Sequence, residues 1–423
     1  MVKKPKGTRD IINNPYWAYF EDVFKSVCEN YNYENIRTPI FENSELFHRS
    51  LGETTDIIAK ETYDFKDRKG RLITLRPELT AGIVRSYIEN KIYAKANQPH
   101  KFYAFGTAYR YERPQAGRFR EFTQAGVEIF GSDNPMIDAE MISVAYNTLS
   151  FCGLENVVIH LNSLGNNETR TIYKDTLIKH LKKYEKELCA DCKKRISTNP
   201  LRVLDCKTDM EHEALVNAPS IIDHLDDDEL ARYTAVKLYL TILDISYIED
   251  PKLVRGLDYY TSIVFELKID EPSLGNQNAL GGGGRYDNLI ESLEGSKTSA
   301  CGFSYGVDRI IHVMETIDVD IPLNTDLDAY VIAIDDNSSS YALSIANALR
   351  MSGFRTDIAT DHKNLTKALK SLKNINPSYI IMIGEEELRT GKVKIKENAT
   401  GTEHSIDGND LITWLDKNIK TKE

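Results

Sequence analysis

The sequence predicts an α+β protein: an antiparallel sheet flanked by helices, interrupted by a helical insertion, with a smaller α/β module at its C-terminal end. Three observations carry this. The runs HKFYAFGTAYRY and EFTQAGVEIFG bracket a polar loop containing Pro114 and Gly117, the pattern of an antiparallel hairpin. Charged stretches of helical period fill 166–188 and 208–244 before strand-like sequence returns at 256–268. From Asp328 onward, strand, helix, strand, helix and strand signals alternate, which implies a small sheet with helices across it.

From the N-terminus, residues 15–32 repeat Trp17, Phe20, Val23, Phe24 and Val27 at helical spacing, so this segment packs as a helix on a core. LITLRP at 72–77 reads as a strand ahead of the hairpin. Pro200 and Pro219 punctuate the insertion. GGGGRYDNL at 281–289 lacks the Lys and Ser or Thr of a Walker loop, and Tyr286 stands at the third glycine of a dinucleotide fingerprint. It reads as a bend in a strand or as close backbone approach to a ligand. A helix from about residue 305 aligns Val307, Ile310, Ile311 and Met314, leaving Arg309 off the buried stripe. The predicted domains are 1–325, with the insertion at 167–246, and 326–423.

Composition narrows the function. With 53 Lys and Arg against 64 Asp and Glu, the formal net charge of -11 argues against a protein that coats nucleic acid non-specifically. Any nucleic-acid partner must meet local basic patches. No window approaches a membrane span and MVKKPKGTRD lacks the apolar core of a secretory signal, so a cytoplasmic location without membrane partners is expected. Cys28, Cys152 and Cys301 sit alone in apolar surroundings, as reduced thiols do. CADCKKRISTNPLRVLDC brings Cys189, Cys192 and Cys206 into a zinc-like spacing, but a tetrahedral site needs a fourth ligand. His212 is the candidate considered for it, and the reading is for no metal.

Against this acidic background, YRYERPQAGRFR gathers Arg110, Arg113, Arg118 and Arg120 at the hairpin tip. Such charge is ordinarily solvated surface. Arg110, however, is predicted within the strand, where an arginine needs a partner, and its planar fork suits phosphate oxygens.

These residues become recognisable together. The hairpin resembles motif 2 of class II aminoacyl-tRNA synthetases, and GFSYGVDRI at 302–310 resembles their motif 3. LVRGLDYYTSIVFE at 253–266, followed by GGGGRYDNL, resembles the signatures particular to the histidyl-tRNA synthetase family. PKGTRD at 5–10 and LRPELTAG at 75–82 are similar to the same family, so the resemblance spans nearly the whole chain. It implies a class II synthetase catalytic domain with a helical insertion and a C-terminal α/β anticodon-binding domain. The implied activity joins L-histidine and ATP into histidyl-adenylate with Mg²⁺, then transfers histidine to the 3′ end of tRNA(His). A homodimer is implied too, with an interface partly in the first 60 residues.

By that resemblance, Arg110 holds the ATP α-phosphate, Arg118 and Arg309 reach the outer phosphates, Glu112 joins the ATP site, and Arg113 belongs to the same ring. Arg255 lies near the amino-acid carboxylate and α-phosphate, where it and Arg110 stabilise developing charge. Glu78, Thr80 and Gln124 accept the α-amino group. An imidazole offers two ring nitrogens, and Glu128 and Tyr260 match the positions that read them. Tyr259 and Tyr286 wall the pocket. Gln115 and Arg120 at the tip face the tRNA acceptor end. Lys392, Lys394 and Lys396 on a strand, and Lys363, Lys367 and Lys370 on a helix, are candidates for further tRNA contact.

Four positions depart from the family pattern. Leu79 replaces a glycine and is expected to crowd the amino-group pocket. Ser262 stands where glycine or asparagine is usual. Tyr305 and Asp308 replace smaller residues and Glu, and Asp308 is expected to shift Arg309. The rivals are a class II ligase for proline, threonine or glycine, against which RGLDYY and Glu128 argue, and a histidine-binding regulatory subunit of ATP phosphoribosyltransferase. That relative lacks the anticodon module and the catalytic arginines.

Overall fold

The N-terminal apolar stripe folds as the helix Pro15–Asn30, opened by Pro15 and by the Asn14 side chain, which accepts from the Tyr16 amide. Phe20, Phe24, Val27 and Cys28 are buried, with Trp17 and Val23 at the edge. The computed structural model describes residues 2–52, 55, 57–96, 98–114, 117–257, 259–274, 278–322, 327–360, 372 and 375–419. The chain divides into two compact units, Met1–Ile321 and Pro322–Glu423.

In the first unit the strands are β1 (Glu34–Asn35), β2 (Phe41–Asn43), β3 (Tyr63–Lys66), β4 (Leu72–Leu75), β5 (His100–Tyr109), β6 (Glu121–Phe130), β7 (Val157–Ser163), β8 (Tyr247–Glu249), β9 (Thr261–Ile269), β10 (Ala279–Arg285) and β11 (Ala300–Gly306). Eight of them form the main sheet, in the order β1-β5-β6-β11-β10-β9-β7-β8. Its six inner strands are antiparallel, while β1 and β8 pair in parallel with β5 and β7. The LITLRP strand is not part of it, because β4 pairs with β2 and β3 in a separate small sheet.

Alternation along the inner strands gives the main sheet two faces. Ala125, Val127 and Ile129 of β6, Ile263, Phe265 and Leu267 of β9, and Phe303 and Tyr305 of β11 bury against the helices Pro15–Asn30, Pro135–Phe151 and Val307–Thr316. The intervening residues, Gln124, Gly126 and Glu128, Glu266 and Lys268, and Gly302 and Ser304, face the other way.

Three local expectations are corrected. Arg110 falls one residue beyond β5, although its amide still donates to the Arg120 carbonyl at 2.9 Å. Strand structure returns at Thr261 and not at 256, so Arg255 is carried by a loop. The stretch 208–244 is not one helix: Glu213–Val216 is a single turn, and a capping box of Asp226 and Glu229 starts Asp227–Ile242 afresh. That last helix buries Tyr233, Val236 and Leu240 in the main cluster, whereas Tyr173 to Ile221 pack around a cluster of their own.

The second unit holds β12 (Ala329–Ala333), β13 (Thr356–Ile358), β14 (Tyr379–Ile383), β15 (Lys392–Glu397) and β16 (Glu403–Asp407) in the order β13-β12-β14-β15-β16. The first three are parallel and the last two antiparallel to their neighbours. Helices Ser339–Met351 and Leu411–Ile419 cover one face with Ala342, Ile345, Leu349, Leu411 and Leu415. Lys394 is held by Glu386 at 2.7 Å and Glu387 at 3.2 Å. Lys363, Lys367 and Lys370 lie outside the described residues.

Candidate active site

A cavity of about 980 Å³ opens on the main sheet face turned away from the three helices. At one end stand three tyrosines, with ring centroids of Tyr259 and Tyr260 4.7 Å apart and of Tyr259 and Tyr286 5.5 Å apart. The Tyr259 hydroxyl donates to Glu78 Oε2 at 3.2 Å. Thr80, first residue of the helix Thr80–Glu89, and Gln124 of β6 line the same wall, where Gln124 Oε1 accepts from the Leu79 amide.

Glu128 lies behind this wall and does not itself line the cavity. Its carboxyl accepts from Thr80 Oγ1 at 2.5 Å and from the Tyr286 hydroxyl. Burial drives its pKa up to about 8; the two hydrogen bonds oppose that rise and the Glu78 charge adds to it. Opposite it on β11 is Gly302, where a Cβ would lie only 2.7 Å from Glu128 Cδ. Glycine at that position is what gives the carboxyl its space. Glu78 is raised as well, by burial, against the lowering effects of Arg110, Tyr259 and the Ala81 amide.

At the other end three arginines from two motifs converge. Arg110 Nε donates to the Pro77 carbonyl at 2.9 Å and its guanidinium lies over Phe122. Arg118 pairs with Glu112, and Arg309 donates to the Ala279 carbonyl. All three line the cavity. Burial lowers the pKa of each; the Arg110 charge further lowers that of Arg118, and the Arg118 charge that of Arg309. Crowded, desolvated cations of this kind favour an anion between them.

Not every hairpin arginine joins them. Arg113 is exposed and off the cavity, because its side chain points from the loop to solvent. Arg120 also lies outside the lining: its guanidinium sits over Tyr111 at 3.7 Å, and its amide donates to the Gly7 carbonyl at 2.8 Å. Gln115 lies outside the described residues.

Between the two ends is Arg255, whose Nη1 donates to Glu266 at 2.8 Å. Burial lowers its pKa, but Tyr260 and Glu266 outweigh burial and hold it above the ordinary value. Gly282 of the glycine run leaves it room, since a Cβ there would lie 2.6 Å from that same Nη1. The close approach permitted by the glycines is thus to an arginine and to the neighbouring strands.

Sequence reasoning missed a network behind Arg255. Glu266 and Lys268 are 3.6 Å apart, Lys268 reaches Asp250 at 3.7 Å, and Asp250 holds His160 Nδ1 at 2.9 Å. All four line the cavity. The available signal was the two-residue spacing of Glu266 and Lys268, which puts both charges on one strand face.

The departures find physical reasons. Leu79 does not crowd the cavity; it is buried with Ile83, Val84 and Phe102 and is absent from the lining. Ser262 has φ 49°, the left-handed region that glycine and asparagine tolerate best. Tyr305 is buried against Phe20, Phe24 and Phe303 and donates to the Ala145 carbonyl. Asp308 accepts from Arg9 at 2.6 Å and from the Thr123 amide at 2.7 Å, tying the N-terminal segment and β6 to the helix that carries Arg309.

The chain matches the family model described as histidyl-tRNA synthetase over residues 19–310, and the model described as anticodon binding domain over 328–418. It is 42% identical over 419 residues to the histidine–tRNA ligase of Bacillus licheniformis, covering 99% of both chains. Identity to the Bacillus subtilis histidine–tRNA ligase is 40%, over 98% of this chain and 99% of the other. The solved apo histidyl-tRNA synthetase of S. aureus superposes with a TM-score of 0.83 at 36% identity, covering 98% of this chain and all of that one. Matched over most of its length by family model, relatives and fold, the chain belongs to the histidyl-tRNA synthetase family.

Proposed function

We propose that this chain is a cytoplasmic histidine–tRNA ligase that activates L-histidine with ATP and transfers it to tRNA(His). The observation that carries the reading is one cavity with a buried carboxyl and tyrosine pocket at one end, three crowded arginines at the other, and Arg255 between. The pocket suits an amino acid with a polar ring; the arginines suit a triphosphate.

In this reading the α-amino group is taken by Glu78, Thr80 and Gln124, and the imidazole by Tyr260 and Glu128. An imidazole N–H replaces the Tyr286 hydroxyl at Glu128, whose raised pKa lets it meet a neutral ring as acid or acceptor. The histidine carboxylate attacks the α-phosphorus in line and pyrophosphate leaves. Arg110 and Arg255 hold the charge that develops, and no side-chain nucleophile is needed. Mg²⁺ takes oxygen ligands and would neutralise the outer phosphates; Glu112 and Glu266 on the cavity wall are donors of that kind. The terminal adenosine of the tRNA then supplies the hydroxyl that attacks the acyl carbon.

The catalytic part is residues 1–325, with 167–246 inserted, and 326–423 binds the anticodon stem, a reading supported by the match at 328–418. Gln115 and Arg120 are assigned to contact with the tRNA acceptor end. A second copy of the chain completes a homodimer, and the exposed Phe41, Phe65 and Leu72 of the small sheet favour an interface there. No helix among the described residues is long and apolar enough to cross a membrane. The test is aminoacylation with labelled histidine: charging of tRNA(His), and not of bulk tRNA depleted of it, is expected. Charging with another amino acid would overturn the pocket assignment.

A further inference from the structure

Away from the cavity floor, the fold gathers four potential ligand groups that the reaction does not use. Cys189 and Cys192 stand at the start of the helix Ala190–Thr198, with Cys189 as its N-cap. Cys206 and Asp209 come from the loop beyond the Pro200–Val203 turn. One ligand atom from each lies within 4.8 Å of every other. Cys189 and Cys206 sulfurs are 3.7 Å apart, and Cys206 Sγ is 3.8 Å from Asp209 Oδ2. A zinc–sulfur bond of about 2.3 Å in a tetrahedron sets a sulfur–sulfur edge of about 3.8 Å, whereas a disulfide would need about 2.05 Å.

Asp209 is the second, independent observation. It is 8% exposed, against Cys192, Cys206, Leu188, Val203 and Leu215. Among the described residues no Lys, Arg or His forms a salt bridge with it; its contacts are the Cys189 amide and the thiols. A buried carboxylate without a cation is costly, and such groups are ordinarily paired or bound to a metal. His212, the fourth ligand considered from sequence, is instead 3.4 Å from Glu187 and accepts from the Ala214 amide. The donor is the acid three residues beyond the third cysteine, which cysteine and histidine spacing alone does not reveal.

We propose that Cys189, Cys192, Cys206 and Asp209 form a structural site for one tetrahedral divalent cation of the zinc type. Two backbone segments 17 residues apart in sequence are cross-linked by it. The clamped loop is part of the active-site wall, because Arg202, Leu204, Asp205, Cys206, Lys207 and Met210 line the cavity. The metal therefore fixes that wall and takes no part in the chemistry.

The test is titration of Co²⁺ into the reduced, metal-free full-length protein, followed by absorption. One cobalt per chain is expected, with thiolate charge-transfer bands and the intense d–d bands of tetrahedral coordination, displaced by one equivalent of Zn²⁺. Asp209→Asn is expected to keep the fold and weaken binding at least tenfold; Cys206→Ser should lose part of the charge-transfer intensity. No tetrahedral spectrum at any cobalt ratio would overturn the proposal. So would spectra and affinity unchanged in both variants, or a chain that closes Cys189 and Cys206 into a disulfide and binds no cation when reduced.

Discussion

Replacing Gly302 with alanine adds one methyl group and tests whether Glu128 governs histidine affinity. The new Cβ would lie 2.7 Å from Glu128 Cδ and 2.5 Å from the Val127 carbonyl oxygen. Non-bonded carbons settle at about 3.5–4.0 Å, so the carboxyl must retreat by roughly 1 Å. That retreat separates it from Thr80, now at 2.5 Å, and from the Tyr286 hydroxyl. With a pKa of about 8 the carboxyl is mostly protonated at neutral pH, so its hydrogen bonds contribute about 0.5–1.5 kcal/mol each, and tenfold in affinity is about 1.4 kcal/mol. A disturbance of half that pair lowers kcat/KM for histidine by roughly two- to tenfold. The assay is pyrophosphate exchange at varied histidine, with the KM for ATP as internal control, expected to stay near wild type. In a Glu128→Ala background the alanine at 302 no longer meets the carboxyl, so its effect on the KM for histidine should vanish, and what remains is the contact with the Val127 carbonyl, read as lost stability. A folded Gly302→Ala protein with a wild-type KM for histidine would refute the reasoning.

Further expectations follow from the same geometry. The raised pKa of Glu128, about 8 against an ordinary 4.5, means the folded chain binds a proton there that the unfolded chain has released between those values. Stability therefore falls as pH rises through that window, by up to about 1.4 kcal/mol per pH unit from this group. Glu128→Gln should show a shallower loss of melting temperature between pH 5 and 8; parallel curves would count against the burial argument. Ser262→Gly relieves a left-handed serine and should stabilise the first unit by about 0.5–1 kcal/mol in urea melts, net of the added chain entropy. A lower midpoint would show that the serine is not strained. Asp308→Ala unties Arg9 and Thr123 from the Arg309 helix, and should both cost about 1–3 kcal/mol of stability and raise the KM for ATP. An unchanged KM would mean that Arg309 is positioned without it.

Much of this was legible in the sequence because local patterns have short range. The stripe from Trp17 to Val27 and the hairpin around Gly117 need only spacing, and the motif arginines Arg110, Arg118 and Arg309 carry their own chemistry. The site's supporting contacts were not legible. Asp308 reaches Arg9 across 299 residues and Gly302 makes room for Glu128 across a strand pair, and neither follows from local periodicity. The packing of Arg120 was not legible either: its charge suggests a ligand, and nothing local shows that its methylenes lie beside Gly7 and its guanidinium over Tyr111. Leu79 was read as an obstruction because a side chain's direction is set by the tertiary packing around Phe102 and Val84.

The central claim is that one cavity joins histidine to the α-phosphate of ATP under Arg255. Histidine-dependent pyrophosphate exchange, run beside every other amino acid and beside Arg255→Ala, tests it most directly. The account predicts exchange with histidine alone, reduced by roughly 10²- to 10³-fold in the variant, the cost typical of losing one charge-stabilising donor. Exchange with a different amino acid, or a folded Arg255→Ala protein that exchanges at the wild-type rate, would contradict it.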